Sequence, residues 1–302
     1  MMNNGVQLGS SGILKPGKLR WLRALLWGVL LFMLLLVPQV AIPIGASLMG
    51  GVPVTRFTEA PGGLLLGWTS FCALTAVGLY AVLVMLGERR QPSELELRPA
   101  LKETVAGLLI GGLMMSVAVG IMWVMGGIEI STQPVRDAWS ALALTVQSGV
   151  MEEIAFRLIV LRLLWRAFGV QVALLLSALL FGVAHIFNPN SAWFPSIAIA
   201  IEAGIMLAAF YILTGRVWMS IGVHAGWNFT QGWIYGAPVS GTSDFDGGPI
   251  NVEPVPGVSE VISGGGFGPE ASIAGLLVGI AVGACVLWMA WQRGRLRGRS
   301  DA

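Results

Sequence analysis

Residues 138–161 read Ala-Trp-Ser-Ala-Leu-Ala-Leu-Thr-Val-Gln-Ser-Gly-Val-Met-Glu-Glu-Ile-Ala-Phe-Arg-Leu-Ile-Val-Leu. The stretch is long and apolar enough to cross a bilayer as a helix, which takes about 20 residues. It nevertheless carries Glu152, Glu153 and Arg157 in its second half. An Asp, Lys or Arg at a helix centre costs roughly 2.5–3.5 kcal/mol on insertion scales, and a Glu is expected to cost a similar amount. The chain has two histidines, His185 and His224, and both also lie in long apolar runs. Ionisable groups at such depth point to function, so the pattern predicts a polar site inside a membrane.

Outward from this stretch, the composition agrees. Of the 302 residues 55% are hydrophobic and 11% are charged, against about 25% charged in soluble domains. The expected fold is an all-α, polytopic membrane bundle of about eight spans, near 24–49, 63–87, 104–127, 138–161, 170–187, 196–214, 217–235 and 271–292. The first run, 24–49, is much longer than the 7–15-residue core of a signal peptide, and is expected to be a retained span. A net charge of +2 gives no basis for a nucleic-acid partner. Cys72 and Cys285 form no Cys-x-x-Cys pair and read as two buried hydrophobes.

Lys and Arg alternate between connections. They occur at Lys15, Lys18, Arg20 and Arg23, then at Arg89, Arg90, Arg98 and Lys102, and at Arg162, Arg166 and Arg216. The tail carries Arg293, Arg295, Arg297 and Arg299, whereas the other connections hold only Arg56 and Arg136. The positive-inside rule therefore puts both termini in the cytoplasm. The expected organisation is a cytoplasmic tail over 1–23, with residues 1–12 disordered, and spans 1–3 over 24–137. A core of spans 4–7 occupies 138–235. An exposed extracytoplasmic Gly/Pro-rich acidic loop covers 236–270, and the last span with a basic cytoplasmic tail covers 271–302. Residues 94–102 are expected to form a short interfacial helix, and Trp193, Trp227 and Trp233 an interfacial belt.

Three motifs fall on successive core helices. In the first, Glu153 and Arg157 are four apart and can pair on one face. Glu152 points about 100° away and is left to act alone. In the second, Phe181 stands one turn before His185 and can wall its ring. The third joins His224 and Asn228, with Gly222 and Gly226 allowing a neighbouring helix to approach closely. A carboxylate, two imidazoles and an amide are what a water-activating hydrolytic site needs: one group takes a proton, another donates to an oxyanion. The chain has no Gly-x-Ser-x-Gly and no His-Glu-x-x-His. Glu202, inside the sixth run, is a further lone carboxylate that either lines the same cavity or binds the substrate backbone, or else is kept protonated or bonded to a neighbouring helix. Rise per residue puts His185 nearer the outer side than His224 by ~10 Å.

Taken in order, Glu-Glu-x-x-x-Arg, Phe-x-x-x-His and His-x-x-x-Asn resemble the CPBP family of intramembrane proteases, the CAAX prenyl endopeptidases and bacteriocin-processing enzymes. The resemblance covers residues 138–235, which it marks as a catalytic core with a polar cavity among spans 4–7. It implies an intramembrane endopeptidase acting on a membrane-associated peptide or protein, prenylated or leader-bearing, in the cytoplasmic half of the bilayer. In that family pattern Glu152 is the general base and His185 holds the same water. Glu153 and Arg157 orient the helix, and His224 and Asn228 stabilise the oxyanion. The cofactor stays open between a divalent metal such as zinc on Glu152, His185 and His224, and none. Two other classes compete: a proton-coupled transporter using Glu152, Glu202 and the histidines, and a non-catalytic scaffold or immunity protein.

Overall fold

A computed structural model describes residues 5–297; Arg299 lies outside them. Eight helical rods form: α1 (Arg20–Gly50), α2 (Gly62–Glu88), α3 (Ala100–Val124), α4 (139–168), α5 (Val170–Phe187), α6 (Trp193–Thr214), α7 (218–234) and α8 (Ile273–Gln292). Among the described residues six of them, all but α4 and α7, are long and apolar enough to cross a membrane. The protein is a helical, polytopic, integral membrane bundle. The outer rods turn large apolar side chains outward, as Leu26, Val29, Met33 and Val37 do on α1. A helix that is apolar all round is at home only in lipid or in a core.

The two exceptions carry the first and third motifs, and the second lies on α5. α4 contains π-helical turns at Gln147–Glu152 and Ile154–Leu161, and α7 ends in one at Thr230–Ile234. Others lie in α6 at Ala200–Ile205, around Glu202, and at the end of α2 at Val84–Glu88. The i→i+5 bonding of such turns is rare and concentrates at functional sites.

α7 lies against α3 nearly backbone to backbone. A Cβ at Gly222 would come within 2.3 Å of the Thr104 carbonyl oxygen, and one at Gly226 within 2.2 Å of that of Leu108. Small residues at an interface are how membrane helices gain packing without a hydrophobic driving force. The sequence expectation for these two glycines holds.

Four expectations need correction, besides that for Cys285, which is exposed on α8 while Cys72 is buried. Residues 5–14 are ordered: Val6, Leu8 and Leu14 are buried, and Arg166 donates to the carbonyls of Gly9 and Leu14 at 2.9 Å each. Residues 94–102 form no separate helix; Glu94 sits in a 3-10 turn, Ser93–Leu95, and is fully buried. Trp193 is exposed as a belt residue should be, but Trp227 is buried.

The fourth correction is the largest. The loop expected to be exposed folds onto the bundle, burying Val239, Phe245 and Phe267. Its strand β2 (Ile250–Pro254) pairs antiparallel with β1 (Ile128–Thr132), from Ile128 opposite Pro254 to Thr132 opposite Ile250. Asp246 takes bonds from Gln133 and Arg136, at 2.8 and 2.9 Å. Gly5 and residues 291–297 line one cavity, so the two ends of the described chain meet at one end of the bundle. The 236–270 loop lies at the other end of α8.

Candidate active site

The first motif splits as its spacing requires. Glu153 is fully buried and lies 3.0 Å from Arg157 Nε, one turn on. Arg157 also donates to the Ala203 carbonyl on α6 at 3.0 Å and lies over the Phe181 ring, 4.8 Å from its centre. Glu153 has a second partner that spacing does not reveal: its Oε1 is 3.0 Å from His224 Nδ1 on α7. One carboxylate therefore ties α4 to α7 and, through Arg157, to α6.

Glu152 turns the other way. Its side chain is 31% exposed, yet its Oε2 is buried, lacks a hydrogen bond, and faces His185 Nε2 at 3.9 Å. The opposite ring nitrogen of His185, Nδ1, is 2.8 Å from the Phe181 carbonyl. A carbonyl only accepts, so Nδ1 carries the proton and the neutral ring presents a lone pair at Nε2. The same logic fixes His224, whose Nδ1 proton goes to Glu153. Asn228 donates to Ser148 Oγ at 3.0 Å, leaving its amide a second N–H.

The three motifs meet. Phe181 packs against both imidazoles, with ring centres 4.7 Å from His185 and 6.3 Å from His224. The depth difference counted from the sequence is closed by packing around this ring. His185, His224 and Asn228 line one small cavity of about 20 Å³. Glu202 lines it too, buried, with an Oε2 that has no hydrogen-bond partner.

Sequence reasoning missed Ser148, Ser240 and Glu270. The last two come from the folded loop and line the same cavity. Glu270 is buried and accepts from the Ser240 backbone N–H. Burial pushes its carboxyl up, while that bond and the two imidazoles pull it back only in part. The loop brings Glu270 to the cavity from the end of the bundle opposite the chain termini.

Among the described residues no three His, Cys, Asp or Glu side chains are grouped to hold a metal ion. Glu152 and His185 face each other, and the contact of His224 Nδ1 with Glu153 leaves its Nε2 free, but the three side chains are not gathered around one point. These positions do not fit the three-ligand zinc site on Glu152, His185 and His224.

No curated protein and no solved structure matches the chain. Residues 134–230 match the family model described as type II CAAX prenyl endopeptidase, Rce1-like, and this match supports the CPBP/CAAX protease family for the core that carries the three motifs.

Proposed function

We propose that the chain hydrolyses a peptide bond of a membrane-associated substrate, prenylated or leader-bearing, with Glu152 as general base. The observation that carries this reading is the 3.9 Å separation of Glu152 Oε2 and His185 Nε2. It is too long for a direct hydrogen bond and short enough for one water oxygen to reach both groups. At the family level the match already implies a protease of the CAAX type with a membrane-associated protein or peptide as substrate.

The steps follow from the proton positions. Glu152 takes a proton from the water, which His185 orients through its Nε2 lone pair. The resulting hydroxide attacks the scissile carbonyl carbon. The oxyanion is received by the second N–H of Asn228 and by Nε2–H of His224. His224 donates there in the form that carries a proton on both ring nitrogens, Nδ1 towards Glu153 and Nε2 towards the oxyanion. Collapse breaks the C–N bond, and Glu152 returns its proton to the leaving amine. A positioned general base contributes about 10²–10⁴-fold, and each oxyanion donor about 10²–10³-fold.

A cavity of 20 Å³ holds a water but not a peptide. The scissile bond therefore enters when the segment with Ser240 and Glu270 opens, and Glu270 returns to the cavity when that segment closes over the bound substrate. The test is cleavage of a panel of membrane-anchored peptides by purified protein, wild type against Glu152→Gln, each with and without a chelator. The reading requires cleavage by wild type, its loss in the variant, and no effect of the chelator. Equal cleavage by both proteins removes Glu152 as the base. Proton-coupled flux lost in the variant, without cleavage by wild type, would favour a transporter.

A further inference from the structure

The mechanism above leaves two buried carboxylates of the cavity unused. Glu202 comes from α6 and Glu270 from the loop before α8, and both line the space next to His185 and His224. Glu202 is 1% exposed, and its Oε2 has no hydrogen-bond partner. The residues lining the cavity include no Lys or Arg. The nearest guanidinium in the motif set, that of Arg157, is turned to Glu153, the Ala203 carbonyl and the Phe181 ring. Glu270 spends one oxygen on the Ser240 N–H and brings no positive charge.

Placing Glu202 here is built into the packing. α8 has Gly279 where any side chain would strike Glu202: a Cβ there would come within 2.4 Å of the Glu202 Cβ. The backbones of α6 and α8 thus close behind Glu202, and its unpartnered carboxyl belongs to the cavity side. Two carboxyl groups sharing a low-dielectric space favour either a shared proton or a cation.

We infer that Glu202 and Glu270 form a subsite for a positively charged group of the substrate, a primary ammonium such as a lysine side chain near the scissile bond. The size agrees: an ammonium is about as large as a water, and the 20 Å³ cavity admits one such group. The neighbouring apolar side chains, Ile199, Met206 and Leu207, suit the methylene stem that carries it. The inference names the substrate class for the proposed protease site and rests on that reading for its biological meaning.

Two measurements separate the subsite from the protease. First, hexylammonium binding to the purified protein is measured by calorimetry, with hexanol as the neutral control. Wild type should bind hexylammonium about tenfold more tightly than hexanol, and Glu202→Gln or Glu270→Gln should lose that preference. Equal affinity for the two probes, or a preference unchanged in both variants, means that the pair shares a proton and overturns the subsite. Second, membrane-anchored peptides with lysine or norleucine at each position around the cleaved bond are compared. The kcat/KM ratio should favour lysine about tenfold at one position in wild type and fall towards one in Glu202→Gln. A ratio that survives Glu202→Gln also overturns the inference. Ammonium selectivity without any cleavage would refute the protease reading alone, and cleavage without ammonium selectivity would refute the subsite alone.

Discussion

Two clusters of buried ionic groups stand in this bundle, and they are finished differently. At the end near the chain termini, Glu88 receives Arg162 at 2.6 and 2.9 Å, Arg90 at 2.7 Å and Trp27 at 2.9 Å. Glu94 receives Arg90 at 2.7 and 2.8 Å and the Tyr80 hydroxyl. Every carboxylate oxygen of that cluster has a donor. In the motif cluster, Glu152 Oε2, Glu202 Oε2 and Arg157 Nη1 have none. Unsatisfied buried polar atoms are costly and need an explanation. The saturated cluster holds α1, α2, α4 and the connection between α2 and α3 together. The unsaturated one keeps bonding capacity for a reacting partner.

That contrast can be broken most directly at Glu152. Glu152→Gln should reduce peptide cleavage by about 10²–10⁴-fold, with thermal unfolding in detergent unchanged, because its Oε2 gives up no bond. Glu88→Gln should do the opposite. It leaves Arg162 short of its buried counter-charge and should cost about 3–5 kcal/mol of stability, read as a lower unfolding temperature. Asn228→Ala should lower kcat about 10²–10³-fold with a smaller effect on KM. A change confined to KM would take Asn228 out of the oxyanion site.

The smallest expected effects are those of pH, and they have opposite signs. Burial works against the charge on Glu94, but the bonds and charges of Arg90 and Arg162 hold its carboxyl below the usual range. Its contribution is complete above the unfolded value, about 4.3, and is lost as pH falls through the lower folded value. Unfolding temperatures between pH 7 and pH 3 should show that loss. Glu270 is pushed up instead. Closure of the loop should be firmest below about 4.3 and weaken as pH rises through its folded value. Hydrogen exchange over 236–272 should quicken along that rise, and Glu270→Gln should flatten the change.

Much of this fold is visible in the sequence because lipid imposes simple rules. A run of about 20 apolar residues leaves few choices, and all eight runs became rods. The Glu153–Arg157 pair and the Phe181–His185 contact are local and follow from helical spacing. Less visible was anything joining distant segments. Arg162 read as a charge marking the cytoplasmic side, yet it is fully buried on Glu88, 74 residues away. Counting helical rise separated His185 from His224, because nothing in the spacing shows how two rods lean around Phe181 or where π-turns alter the winding. The acidic loop carries no period at all. Its Gly and Pro residues say only that it is irregular, not that Glu270 is drawn into the cavity.

The central claim is that Glu152 activates water for peptide hydrolysis. Cleavage of one membrane-anchored peptide in ¹⁸O-water, followed by mass spectrometry of the new C-terminus, tests it most directly. The account predicts one ¹⁸O atom at the new carboxyl in a single wild-type turnover, and product formed about 10²–10⁴-fold more slowly by folded Glu152→Gln. Product formed by Glu152→Gln at the wild-type rate would contradict it.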